Sequence, residues 1–292
     1  MSAATEHPEA AFDLGTAPMR IGRVRLRVRD CAGVAGFYRD VLGLVPLEEA
    51  AGRVVLGAAG TALLELVGDP SLAPLDRRQA GLFHTAFLLP DRASLARWLR
   101  FAAERRIRLH GASDHGVSEA IYLADPEGNG IEVYADRPVS AWHSEGGRVD
   151  MPSDPLDLEG LLAAAADGRW TGMPAGGVVG HVHLQVGDTV AAELFYRDLL
   201  GFDVTCRYPG GSFFGAGGYH HQLAANAWNS RGAGPRPDRM AGLDAVELVV
   251  PDGAARIAVE GRARAAGLGV EGEGAARVLR DPWGTAITLV AG

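Results

Sequence analysis

From residue 21 the chain alternates between polar and apolar positions. In IGRVRLRVRD (21–30) the arginines 23, 25, 27 and 29 stand between Val24, Leu26 and Val28, the two-residue period of a strand. Over 31–43 the spacing becomes helical and stops at Gly43, and RVVLGAAGTALLELV (53–67) then supplies further strands around a glycine turn. The order is βαβββ. GLFHTAFLLP (81–90) starts a second such unit, with a helix in DRASLARWLRFAAERR that Asp91 caps. Two strands follow, SEAIYLA and GIEVY, joined by the turn DPEGN. The same order recurs later, predicting an α+β chain of four βαβββ units at about 20–67, 82–135, 178–226 and 242–291.

Self-similarity supports the reading. FYRDVLGL (37–44) matches FYRDLLGF (195–202) at six of eight positions, and GLFHTAFLLPD (81–91) recurs more weakly as GLDAVELVVPD (242–252). DPEGNGIEV (125–133) recurs as DPWGTAITL (281–289), with Thr288 where the first copy has Glu132. The chain is a tandem duplication. Residues 1–18 show no period and are expected to be a flexible tail. Residues 19–136 and 178–292 are the expected N-terminal and C-terminal domains of two units each. The connection 137–177 carries a short helix in PLDLEGLLAAAA.

Composition narrows the function. At 292 residues and 47% apolar, the chain can bury two cores. A net charge of −8 without a clustered basic tract excludes a nucleic-acid or anionic-membrane partner. Two cysteines make no disulfide framework, no apolar run nears 18 residues and no basic-then-apolar leader stands at the start, so a cytoplasmic protein is expected.

Four βαβββ units, FYRD followed by LGF or LGL after the first helix of each half, and DP-GN-IE near the end of the first half resemble the vicinal oxygen chelate superfamily. That superfamily includes glyoxalase I, bleomycin and fosfomycin resistance proteins, and extradiol dioxygenases. SDHGVSEAIYLADPEGNGIEVYADRP (113–138), GHVHLQV (180–186) and GGYHHQLAANAW (217–228) resemble its two-domain catechol 2,3-dioxygenase-like subgroup. The resemblance implies two eight-stranded cups, each built from two units, with metal ligands on the first and last strands of a unit.

Carried onto this chain, it places ligands at His181 and His84 on first strands and at Glu132 on a last strand. Of the adjacent His220 and His221, which point to opposite faces, the paired-histidine pattern of the dioxygenases selects His221. The matching positions elsewhere hold Arg23, Ala245 and Thr288, so a cup formed within either half is incomplete. Pairing units two and three across the halves gathers all four ligands and leaves Arg23 and Glu65 to meet as ion partners in the other cup. His181, His221 and Glu132 are then the expected facial triad, with His84 either a fourth ligand or an acid/base group. At the cup mouth His115 and Asp114 are candidates to move protons. His183, Tyr122, Asn226 and Trp228 are candidates to touch substrate.

Two imidazoles and a carboxylate with open positions suit iron(II); Mn(II), Zn(II) or Ni(II) are alternatives, and no organic cofactor is expected. The implied activity is extradiol cleavage of a catechol-like aromatic with O2, in a monomer or homo-oligomer. A metal-dependent isomerase or lyase of the glyoxalase type, and a non-catalytic binding or resistance protein, are the alternatives.

Overall fold

The computed structural model describes residues 12–272 and 274–292. The first unit comprises β1 (Arg20–Val28), α1 (Cys31–Leu42), β2 (Val45–Ala50), β3 (Arg53–Ala58) and β4 (Thr61–Gly68). The second comprises β5 (Gly81–Leu89), α2 (Arg92–Glu104), β6 (Gly111–Asp114), β7 (Ser118–Ala124) and β8 (Gly130–Asp136). Three two-residue strands, β9 (Ser144–Glu145), β10 (Arg148–Val149) and β11 (Asp154–Pro155), and the helix α3 (Leu158–Ala163) lie in the connection. The third unit has β12 (Val178–Gln185), α4 (Thr189–Glu193) running into a π-helical segment at Leu194–Leu200, and β13 (Asp203–Tyr208), β14 (Gly211–Gly215) and β15 (Leu223–Asn226). The fourth has β16 (Gly242–Val250), α5 (Gly253–Ala265), β17 (Ala276–Arg280) and β18 (Ala286–Ala291).

Each helix begins where its sequence supplies a cap. Asp30, Asp91, Asp157, Asp188 and Asp252 accept backbone N–H bonds from the first turns of α1 to α5, satisfying donors that have no partner inside a helix. Gly43 closes α1 at φ 66°, a left-handed position that costs glycine little.

The two sheets cut across the sequence halves. One has the order β11-β6-β7-β8-β5-β12-β15-β14-β13 and joins units two and three; the other, β17-β18-β16-β1-β4-β3-β2, joins units four and one. The seams are antiparallel pairs of first strands, β5 with β12 and β1 with β16. A single apolar cluster, including Leu26, Phe87, Trp98, Val182, Phe214 and Ile287, draws residues from all four units. Expected at eight strands each, the sheets have nine and seven. The short β11 adds one to the first, and in the glycine-rich stretch before β17 the strand of unit four shrinks to a bridge between Glu271 and Val278.

Residues 1–11 of the expected tail lie outside the described residues, but the rest of it is not loose. Asp13 caps a short turn at Leu14–Thr16, Leu14 is buried, and Phe12 packs on Tyr219 and Trp142 at ring-centroid distances of 5.0 and 6.1 Å.

In the seven-stranded sheet Arg23, at a position matching a ligand, is tied into ion pairs. Arg23 reaches Glu65 at 3.5 Å and Glu247 at 3.3 Å, and Glu65 also takes Arg53 at 2.7 Å. Thr288 is the strand neighbour of Glu247. Arg23 and Arg53 together balance Glu65 and Glu247, so that side needs no cation.

Candidate metal centre

β5 lies between β12 and β8, and the register of these strands builds the centre. Ala86 on β5 is the strand partner of His181 on one side and of Glu132 on the other. His84, two residues earlier, shares the face of Ala86 because side chains alternate along a strand. Ala86 is fully buried and small, so the imidazole and carboxylate of its neighbours converge above its methyl group. Their ligand atoms form a triangle. His84 Nε2 stands 2.9 Å from Glu132 Oε2 and 3.3 Å from His181 Nε2, and the remaining edge, His181 Nε2 to Glu132 Oε2, is 3.3 Å. Ligands at about 2.0–2.2 Å from one ion and at right angles to each other stand about 3 Å apart, so these edges fit one face of an octahedron. Among the described residues this is the grouping that offers an ion three ligand atoms within 4.8 Å of one another.

The structure thus draws His84, expected as a fourth ligand or acid/base group, into the triangle with His181 and Glu132. His84 projects into it from β5, whereas His221 comes from the loop before β15 and lies outside it. His221 instead packs on His181, ring centroids 4.2 Å apart, and bonds His220 through its Nδ1 at 2.8 Å.

Gly180, beside His181, serves a close approach: a Cβ there would collide with the Tyr134 hydroxyl. Its absence lets the Tyr134 ring pack on His181 with centroids 4.9 Å apart. Filling the space over Ala86 has the opposite consequence. Ala86→Leu overpacks the convergence point, at a cost of about 1–3 kcal/mol in stability, and separates Glu132 from His181; metal titration of the purified variant is expected to show lost stoichiometric binding.

Burial and charge set the protonation states. Burial alone would raise the Glu132 carboxyl, but the neighbouring His181 and His84 outweigh it and hold it well below the usual range. Burial depresses His181, and depresses His183 and His221 far more, with the neighbouring imidazoles adding to the effect. The metal-free centre thus presents neutral His183 and His221 at neutral pH. In an unfolded chain these side chains take up protons near pH 6.5, which the folded chain resists. Stability is therefore complete above about pH 6.5 and falls as pH drops below it. Calorimetry of metal-free protein should show a melting temperature flat above pH 7 and declining below about 6.5; a flat profile down to pH 5 contradicts the assignment.

A cavity of about 420 Å³ opens over the triangle, within the range that holds drug-sized ligands. His84, Glu132, His181, His183 and His221 line its floor; Phe83, Phe213 and Trp228 form an aromatic wall, with Met151 and Tyr208 also lining it. Tyr122 and His115 line it too, and they are joined. The His115 Nε2 to Tyr122 hydroxyl distance is 2.7 Å, and His115 Nδ1 lies 2.8 Å from the Pro152 carbonyl. A carbonyl accepts only, so Nδ1 carries the proton and Nε2 accepts from the tyrosine. Burial and the Glu132 charge push Tyr122 well above its usual value, which keeps it a phenol.

Two expected site residues lie elsewhere. Asp114 does not line the cavity; it accepts from Arg137 at 2.5 and 3.2 Å and from Gly116 N, fixing the turn that carries His115. Asn226 is fully buried behind the floor, where its side-chain nitrogen lies 2.9 Å from His183 Nε2. Phe83, Phe213 and Tyr208 escaped the sequence reading. Aromatic residues in strands carry the same signal whether they pack a core or line a cavity.

An α+β chain of repeated βαβββ units, with curled sheets and a buried His–His–Glu cluster under a cavity, defines the class. The chain belongs to the Glyoxalase/Bleomycin resistance protein/Dioxygenase superfamily, which it matches over residues 20–133 and 178–289. Among curated proteins it is similar to the catechol-2,3-dioxygenase of Bacillus subtilis (strain 168), at 41% identity over 276 residues, 92% of this chain and 96% of that one. Among solved structures it resembles a putative dioxygenase of Bacillus subtilis at TM-score 0.62 and 12% identity, over 94% of this chain and 86% of that one. It also resembles glyoxalase I of Zea mays at TM-score 0.58 and 16% identity, over 94% and 92%. These likenesses between structures concern the fold alone. No helix among the described residues is long and apolar enough to cross a membrane.

Proposed function

We propose that the protein is an extradiol dioxygenase that opens catechol-like rings with O2, using iron(II) held by His84, His181 and Glu132. The observation that carries this reading is the three-ligand triangle with no fourth ligand at the symmetric position. In unit two, the last-strand ligand Glu132 pairs with Ala86, two residues after His84; in unit three the matching residue, paired with His183 two residues after His181, is Ala224. Three protein ligands leave positions for a bidentate diol and for O2, whereas a four-ligand site of the glyoxalase type lacks its last carboxylate here. The 41% identical relative named as a catechol-2,3-dioxygenase supports the same reading.

Held by His84, His181 and Glu132, iron would supply the redox chemistry between diol and O2. The chain's own groups do the rest. Phe83, Phe213 and Trp228 grip the ring faces and exclude water. Tyr122 stands beside Glu132 where it meets a substrate hydroxyl, and the His115 Nε2 lone pair that accepts its hydrogen bond takes the phenol proton as Tyr122 receives one from the substrate. The cavity exceeds what an unsubstituted catechol fills, so substituted catechols are the expected substrates.

The test is metal analysis of anaerobically purified, iron-loaded protein, followed by O2 uptake with catechol and its alkyl- and aryl-substituted forms. One iron per chain and stoichiometric O2 consumption with ring opening are expected. Metal-dependent turnover that consumes no O2 would make it an isomerase or lyase, and a chain that takes up no metal would be a binding protein.

A further inference from the structure

Behind His221 runs a buried chain of polar groups that metal binding does not use. His220 is fully buried, with Nδ1 2.8 Å from His221 Nδ1 and Nε2 2.9 Å from Asp136 Oδ1. The same carboxylate oxygen accepts from the Tyr219 hydroxyl at 3.2 Å, and Tyr219 lies 2.9 Å from the Tyr134 hydroxyl. Trp142 and Phe12 cover this group on the side away from the cavity. Asp136 comes from β8 in the first half and the histidines from the second, so the cross-half sheet assembles this chain as it assembles the triangle.

We propose that Asp136 and His220 are positioning residues that fix the tautomer of His221, so that His221 offers an unprotonated Nε2 to the substrate cavity. The argument is one of donors and acceptors. A carboxylate has no proton to give, so His220 Nε2 must donate to Asp136. A neutral imidazole carries one N–H, which leaves His220 Nδ1 as an acceptor. His221 Nδ1 must then donate to it. The single proton of His221 is thereby committed to the buried side, and its Nε2 keeps a lone pair. His221 itself lines the cavity beside His181 and Phe213, so that lone pair is a fixed acceptor at the substrate. An acceptor there takes a proton from a substrate hydroxyl opposite the Tyr122–His115 pair. That use in turnover rests on the ring-cleavage reading; the tautomer does not.

Long-range ¹⁵N–¹H spectra of metal-free protein with labelled histidine, His221 assigned through His221→Gln, read the tautomer without any activity. The expected spectrum shows His221 protonated at Nδ1 and His220 at Nε2. His221 protonated at Nε2, or His220 protonated at both nitrogens, overturns the proposal. In Asp136→Ala the acceptor is gone, and His221 should lose its single tautomer. In the iron-loaded variant kcat should fall at least ~10-fold, as for a displaced acid–base group, with KM and iron content little changed; Asp136→Glu should restore part of the loss. An unchanged tautomer or unchanged kcat in Asp136→Ala refutes the relay. If that variant does not fold, the wild-type spectrum decides alone. A protein with the expected tautomers but no O2 consumption refutes the dioxygenase reading and leaves the relay standing.

Discussion

Glu132→Ala, His84→Ala and His181→Ala are each expected to abolish stoichiometric metal binding while leaving a folded protein. Each removes one corner of the triangle whose edges are 2.9, 3.3 and 3.3 Å. Groups that only support a ligand typically cost 10- to 100-fold in metal affinity when removed, so loss of a ligand should cost more than ~100-fold. The fold should survive, because β5, β8 and β12 are held by their ladders and by the cluster beneath them. His221→Ala is the contrasting variant. It should retain metal, because His221 lies outside the triangle. Equilibrium dialysis with metal analysis, alongside circular dichroism, separates the four variants. Full metal occupancy in Glu132→Ala would remove that carboxylate from the ligand set, and loss of metal in His221→Ala would add His221 to it.

The second large effect concerns the two halves of the sequence. Residues 19–136 and 178–292, produced separately, are expected neither to bind metal nor to unfold cooperatively. Each half carries strands of both sheets, and separation strips β5 of β12 and β1 of β16. The exposed edges and the opened apolar cluster favour aggregation over folding. The candidate metal centre is divided as well, with His84 and Glu132 on one piece and His181 on the other. Co-expression of the two pieces should restore both a single thermal transition and metal binding. A C-terminal half that binds one metal ion and opens catechol alone would refute the shared centre.

The Thr288 substitution shows how far sequence reasoning reaches. The loss of a carboxylate in the second DP segment, together with Arg23 at a ligand position, left each half without a complete site, and from this the pairing of units two and three followed. The sheet order bears that pairing out. Which histidine joined His181 was not legible in the same way. His84 and His221 both occupied ligand-type positions, and it is the register of β5 against β12 and β8, with Ala86 between them, that brings His84 into the triangle. Asp114 illustrates the same limit. Its place in SDHGVSEA pointed to the cup mouth, yet Arg137 holds it in the turn.

The sequence by itself determined the four units, their strands and helices, the capping residues and the presence of more ligand-type side chains than one cup requires. These are properties of periodicity and local chemistry, set by residues a few positions apart. Tertiary structure alone decided the register in which the first strands meet across the halves, that Ala86 makes room for Glu132 to meet His181, and that Asp136 reaches His220. Each of these joins residues from about 50 to more than 200 positions apart in tertiary contacts, whose register no local pattern specifies and a one-residue slip would turn to the opposite face.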